Sequence, residues 1–178
     1  MRLSSTIRTY SIASMVGFDS VGAKTLRMQL LTGLEAQSFV QGLVHDKTQV
    51  GNFWIDLSVA TIQRMTKRGT LDFGGSEYGP AVTVGLHSHK RQEDDKYGWW
   101  ELRDGIYLLS FNEKLEGLPE NHAAFLAPHP RLIATGAFHA SSYFFAGDEM
   151  SAALAVPQAG CALKQNCRVS RLQIFKLR

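Results

Sequence analysis

Apolar positions near the start of the chain and those further on follow two different periods. Thr32-Gly33-Leu34-Glu35 has the form of a capping box, in which a threonine hydroxyl and a glutamate carboxylate satisfy the free N–H groups of a first helical turn. Behind it Leu34, Phe39, Val40, Leu43 and Val44 recur at helical spacing and predict one helix over 33–44. From residue 53 onward the pattern changes to short apolar or alternating runs at 53–60, 70–73, 81–86, 105–111, 123–126, 132–139, 152–156 and 168–177. Turn chemistry separates them: Gly74-Gly75, Gly79-Pro80, Asp104-Gly105, Leu118-Pro119, Pro128 with Pro130, Gly147-Asp148 and the stretch 157–160. Many short strands with glycine and proline punctuation and a single helix predict an all-β fold, a sandwich or a barrel. The pattern contains no repeat and no low-complexity linker.

Composition narrows the class. At 178 residues, 44% hydrophobic and 20% charged, the chain has the size of one domain and the makeup of a packed one. Its apolar runs are only a few residues long, so no membrane-spanning helix is expected. Two cysteines, Cys161 and Cys167, do not make a disulfide framework and suit reduced thiols in a cytoplasmic setting. The net charge of +3 is unevenly spread: residues 1–28 carry +3 and residues 164–178 carry +5, which leaves −5 for the stretch between. A basic rim on an acidic body suits phosphate-bearing ligands. The basic residues form no tight run and have no aromatic residues interleaved for stacking, which argues against a nucleic-acid surface. The first fourteen residues are rich in Arg and Ser and free of acids, a pattern shared by transit peptides and by poorly ordered N-terminal arms; an arm over 1–28 is the expectation.

Familiar signatures are absent. There is no phosphate loop, no dinucleotide fingerprint, no nucleophile elbow and no Cys-x-x-Cys pair. His87-Ser88-His89 places two imidazoles on one face of an extended segment, with Glu93 following and His139 further on. That set resembles the metal-ligand pattern of cupins. A solvated polar loop over 87–95 accounts for the first three residues as well, and a satisfied structural histidine for the last. Trp99 and Trp100 point to opposite faces of a strand, which leaves one of them for an interface.

Three ordered stretches carry a broader resemblance. Residues 49–59 (QVGNFWIDLSV) contain a Gly-x-Asp-Leu type hairpin around Asp56, followed by 69–73 (GTLDF). Leu102, Gly105-Ile106-Tyr107, Phe111-Asn112-Glu113, Leu118-Pro119 and Pro128 form the second, and 163–175 (LKQNCRVSRLQIF) the third. In this combination the sequence resembles the dUTPase / dCTP deaminase superfamily, and its dUTPase-related branch in particular. The resemblance implies a distorted, jelly-roll-like β-barrel assembled as a homotrimer. It further implies a deoxynucleoside triphosphate at subunit interfaces, Mg²⁺ on the phosphates, and work in nucleotide metabolism.

Several positions depart from the superfamily's pattern. The phosphate-binding Pro-Arg-Ser-Ser-Leu run reads Pro128-His129-Pro130-Arg131-Leu132, with the serines gone and Pro130 lacking an N–H. Phe144 stands at the water-orienting aspartate and Ala155 near the deaminase glutamate. Arg171 replaces a glutamine, and the sequence ends at Arg178 without the glycine-rich tail. A degenerate active site is therefore expected. If the chain hydrolyses nucleotides, Asp148 or Glu149 is the candidate for water and metal, Arg131, Arg168 and Arg171 for phosphates, Asp56 for the sugar, and Tyr143 for the base. The alternative is a trimeric scaffold that has lost the chemistry.

Overall fold

A computed structural model describes residues 27–178; residues 1–26, with the transit-peptide reading and most of the arm expected over 1–28, lie outside the described residues, while Arg27 pairs with Arg178 and Met28 begins a strand. Thirteen strands and three short helices follow in order: β1 (Met28–Leu30), α1 (Gly33–Gln37), β2 (Val40–Gln41), α2 (Asp46–Gln49), β3 (Ile55–Lys67), β4 (Val82–Gly85), β5 (Trp99–Leu102), β6 (Gly105–Phe111), β7 (Lys114–Leu115), β8 (His122–Pro128), α3 (Pro130–Ala134), β9 (Phe138–His139), β10 (Ser142–Phe144), β11 (Ser151–Val156), β12 (Cys161–Lys164) and β13 (Arg168–Leu177). The main sheet has nine strands in the order β10-β8-β13-β3-β6-β11-β9, with β1 added to β13 and β4 to β3. It curls into a half-barrel, and two-stranded ladders β5–β12 and β2–β7 complete the framework. Every described ladder is antiparallel. The expected all-β architecture is therefore present, with three short helices among the described residues rather than one.

The core sits inside the curl. Alternate residues Tyr107, Leu109 and Phe111 of β6 and Ala152, Leu154 and Val156 of β11 point into it, as a half-buried antiparallel sheet requires. The first half of β3, Ile55 through Val59, is buried without alternation because it is covered on both faces.

Three segments differ from the sequence pattern. The helix predicted over 33–44 stops at Gln37, although its capping box forms as expected. Val40 and Gln41 instead pair with Leu115 and Lys114, so Phe39, Val40 and Leu43 reach the core from a turn, a short strand and a loop. Gly42 turns there with φ +81°, and a Cβ at that position would lie 2.5 Å from the Asn112 carbonyl oxygen. Residues 70–73 form a loop with a single bridge, Thr70 to Gly79, because four-residue apolarity without a partner strand cannot make a ladder. Residues 132–139 contain the end of α3 and only the two-residue β9. His129 caps α3 and Pro130 takes the first helical position, where a missing N–H leaves nothing unpaired. The strands β1, β2, β5, β7, β10 and β12 are additional; each is only two to four residues long.

Candidate functional site

Asp56 lies on the buried half of β3, directly opposite Arg171 on β13. Residues three apart on a regular strand face opposite ways, yet Arg168 and Arg171 both reach Asp56. A bulge between Arg168 and Ser170 shifts the register by one and brings them to the same side. Asp56 Oδ1 accepts from Arg171 Nε at 3.0 Å, and Oδ2 accepts from Arg168 Nη1 at 3.1 Å. Arg168 Nη1 also donates to the Thr48 carbonyl at 2.7 Å, and the Arg171 guanidinium sits 4.4 Å over the Trp54 ring. The carboxylate is buried, whereas the Arg168 and Arg171 side chains remain 29% and 34% exposed. Two cations on one anion leave a positive excess that faces solvent.

His129 completes the cluster. Its Nε2 lies 3.4 Å from Asp56 Oδ2, while Nδ1 accepts the Arg131 backbone N–H at 3.0 Å. Nδ1 as acceptor and Nε2–H toward the carboxylate describe a neutral imidazole. Burial lowers the pKa of His129; Asp56 opposes that shift, and Arg171, Arg168 and Arg131 reinforce it. A cavity of about 360 Å³ opens beside the cluster, lined by Arg131, Lys164 and Arg168 together with Trp99, Asn166 and Thr135, and by no acidic residue. Lys164 is held by Asp95 at 3.4 Å, and among the described residues Arg131 has no carboxylate partner.

Behind Asp56 lies a second polar group. Glu113 is buried and accepts from Gln49 Nε2 at 2.6 Å and from the Ser58 N–H and hydroxyl, both at 2.7 Å. Gln49 Nε2 also donates to the Asp56 carbonyl at 2.9 Å, which ties α2 to β3. Asn112 Nδ2 donates to Ser58 Oγ and to Asn166 Oδ1.

The structure thus brings Asp56, Arg168 and Arg171 together, with Arg131 in the adjoining cavity. It does not bring Asp148, Glu149 or Tyr143 to them within one chain. Asp148 Oδ2 accepts the Phe145 N–H at 2.7 Å and so caps its own turn. With Glu149 it lines a separate cavity of about 350 Å³, beside Ser110, Glu113 and Lys114. Tyr143 is exposed and packs on Phe125, ring centroids 5.0 Å apart, and Phe144 is in the core at 9% exposure. The histidine constellation does not assemble. His139 is buried on β9 with Nδ1 2.8 Å from the Ala140 carbonyl and Nε2 2.8 Å from Ser170 Oγ, so both ring nitrogens are engaged. Among the described residues no group of three or more His, Cys, Asp or Glu side chains is placed to hold a metal ion. His87, His89 and Glu93 lie instead on the connection between β4 and β5. Cys161 and Cys167 are free thiols, and burial pushes the Cys167 pKa to about 11. No helix among the described residues is long and apolar enough to cross a membrane.

The sequence reading missed His129, Trp54 and the Gln49–Glu113 pair as parts of one constellation. A histidine between two prolines was visible as a departure from the motif; its role as helix cap and carboxylate partner needed the structure.

In fold the chain is similar to a dCTP deaminase, and in sequence to two probable dUTP nucleotidohydrolases. Its fold matches that of 2'-deoxycytidine 5'-triphosphate deaminase from Agrobacterium tumefaciens with a TM-score of 0.57 at 16% identity, over 84% of this chain and 47% of that one. The chain thus spans about half the length of that deaminase chain. In sequence it is 29% identical over 141 residues to a probable deoxyuridine 5'-triphosphate nucleotidohydrolase of Methanosarcina mazei, covering 78% of each chain. It is 26% identical over 160 residues to the protein of the same name from Methanosarcina barkeri, covering 84% of this chain and 90% of that one. No family model matches the chain.

Proposed function

We propose that this chain is a single dUTPase-like domain that binds a deoxynucleoside triphosphate, with Arg168, Arg171 and Arg131 receiving the phosphates and the site completed at contacts between copies in a homotrimer. The observation that carries this reading is the pair of arginines, each about a third exposed, fixed on one buried carboxylate. Asp56 orients both arginines and neutralises only one, so the free N–H groups present a preorganised positive surface. Its similarity to probable deoxyuridine 5'-triphosphate nucleotidohydrolases supports a deoxynucleotide as the ligand class and a role in deoxynucleotide metabolism.

The donor set does not fit a resident Mg²⁺ ion. Both Asp56 oxygens are taken by arginines and histidine, and among the described residues no other carboxylate joins them. Mg²⁺ therefore belongs to this reading only as the ion that a triphosphate carries, hydrated and held chiefly by phosphate oxygens. Hydrolysis would require Asp148 or Glu149 of a neighbouring copy to approach the arginines. A second reading, a binding or scaffold protein without hydrolysis, is favoured by Phe144, an apolar core residue at the position where the resemblance places the water-orienting aspartate.

Thermal unfolding with dUTP, dCTP, dTTP and dUMP, each with and without Mg²⁺, tests the proposal. A ligand at 100 times its Kd stabilises the fold by about 2.7 kcal/mol. The expected result is a larger shift with a triphosphate than with dUMP, and about a tenfold or greater loss of affinity in Arg171→Ala. No shift with any nucleotide overturns the proposal. Binding without release of diphosphate selects the second reading.

A further inference from the structure

The β5–β12 ladder supplies Trp99, Ala162 and Lys164 to the cationic cavity, and a loop is laid across it. Side chains alternate along each strand, so Trp99 and Glu101 of β5 share a face with Lys164 and Ala162 of β12. The connection 87–98 folds back over that face. Its base is fixed by His89 and Trp99, which exchange backbone hydrogen bonds, and by Gly98, whose carbonyl accepts the Gln165 N–H at 2.9 Å. Two side chains, Arg91 and Asp95, tie its middle to the ladder. Arg91 lies 3.9 Å over the Trp99 ring and donates from Nε to Glu101 Oε1 at 2.9 Å. Asp95 Oδ2 closes the loop's turn by accepting the Arg91 and Gln92 N–H groups, both at 3.2 Å. Its other oxygen, Oδ1, lies 3.4 Å from Lys164 Nζ. The Gln92 N–H, and Lys164 after it, hold the Asp95 pKa below the usual carboxylate value. A carboxylate thus rests on one of the three cations that line the cavity, while the lining itself holds no acid.

We propose that Asp95 is an internal competitor for Lys164, displaced by the far end of a triphosphate, so that this ion pair grades ligands by their number of phosphates. The inference rests on the proposed function and names what selects among nucleotides at that site. Arg168 opens β13 and belongs both to the Asp56 cluster and to the cavity, whereas Lys164 closes β12 and lies in the cavity alone. A monophosphate held by Arg168 and Arg171 leaves Lys164 with Asp95. A longer phosphate chain extends into the cavity toward Arg131 and Lys164, where its charge repels Asp95 and attracts the ammonium group. The pair is built to be exchanged. Lys164 is 37% and Asp95 20% exposed, and ion pairs so open to water hold only weakly. Lysine carries a compact charge on a flexible stem, which can turn from a carboxylate to a phosphate without moving the backbone. Asp95 Oδ2 keeps the turn closed after Oδ1 lets go, and Arg91 stays on Trp99 and Glu101. The exchange therefore changes one partner of Lys164 and leaves the loop anchored.

Calorimetric titration of the full chain tests the exchange, with three ligands: the nucleoside triphosphate that gives the largest thermal shift, its monophosphate, and inorganic triphosphate. Asp95→Asn retains an oxygen to close the turn and loses the charge. It should bind both triphosphates ~5-fold more tightly and the monophosphate within about twofold of wild type. Lys164→Met keeps an unbranched stem beside Trp99 and should weaken both triphosphates about tenfold, again with little effect on the monophosphate. In the double variant the asparagine should add nothing, because no cation is left to compete for. Asp94→Asn removes the same charge from an exposed neighbour on the loop and should match wild type. Equal gains from Asp94→Asn and Asp95→Asn, or a gain that persists without Lys164, reduce the effect to bulk charge and overturn the proposal. So does an Asp95→Asn chain that binds triphosphate like wild type. If Asp95→Asn does not fold, Lys164→Met must still separate the triphosphate from the monophosphate. A chain that binds nucleotide and shows none of these differences keeps the proposed function and loses this inference; one that binds no nucleotide in any of these forms loses both.

Discussion

Two buried acidic side chains flank the same stretch of β3, and their surroundings assign them opposite work. Glu113 is met only by neutral donors, Gln49 and the two donors of Ser58, and all of them lie inside the fold. Its role is to hold α2 and the β6–β7 connection against β3. Asp56 is equally buried, but its main partners are guanidiniums that extend back to solvent. A carboxyl group satisfied from within is structural. One that fixes cations at the surface prepares a surface for anions.

Truncation of Glu113 should give the largest effect on the molecule. Glu113→Ala leaves the buried Ser58 N–H, its hydroxyl and one Gln49 hydrogen without their shared acceptor, each such loss costing about 1–3 kcal/mol. Urea unfolding should show a loss of about 3 kcal/mol or more. The fraction still folded should bind nucleotide with affinity close to wild type. If that affinity fell in step with stability, the distinction between the two carboxyl groups would fail.

Asp56→Asn should cost less, about 1–2 kcal/mol, because the guanidiniums it releases are a third exposed and can rehydrate. Its effect on nucleotide affinity should be the greater one, since Arg168 and Arg171 would lose the group that aims them. Chemical unfolding and nucleotide titration on the same variant separate the two. An Asp56→Asn chain with wild-type affinity would show that the arginines need no carboxylate to orient them.

Much of this arrangement was legible in the sequence, and the limits have physical causes. The strand pattern of β6, β8, β11 and β13 appeared as apolar blocks between turns, because each of these strands alternates or is buried along its length. Asp56 and the arginines of 163–175 stood out through ordered motifs. The overlong helix arose because Phe39, Val40 and Leu43 have helical spacing, while their actual placement depends on pairing with residues more than seventy positions away. The bulge that puts Arg168 and Arg171 on one side has no signature in residue types.

The smallest effect concerns the hinge between the site and α3. His129 joins the two regions, with one nitrogen toward Asp56 and the other capping the helix that bears Arg131. Burial first, and then the three neighbouring arginines, hold its pKa below the ordinary value near 6.5, against the pull of Asp56. The unfolded chain therefore binds this proton more readily than the folded one. Stability from the neutral imidazole is complete above about pH 6.5 and is lost as pH falls toward the folded value. Protonation of Nδ1 would also remove the acceptor of the Arg131 N–H. His139, whose pKa burial likewise lowers, adds to the same acid-side loss. His129→Asn retains a capping oxygen but cannot titrate, so its melting temperature should fall less steeply than that of the wild type between pH 7 and 5. Parallel curves for the two proteins would show that His129 does not couple the cap to the site.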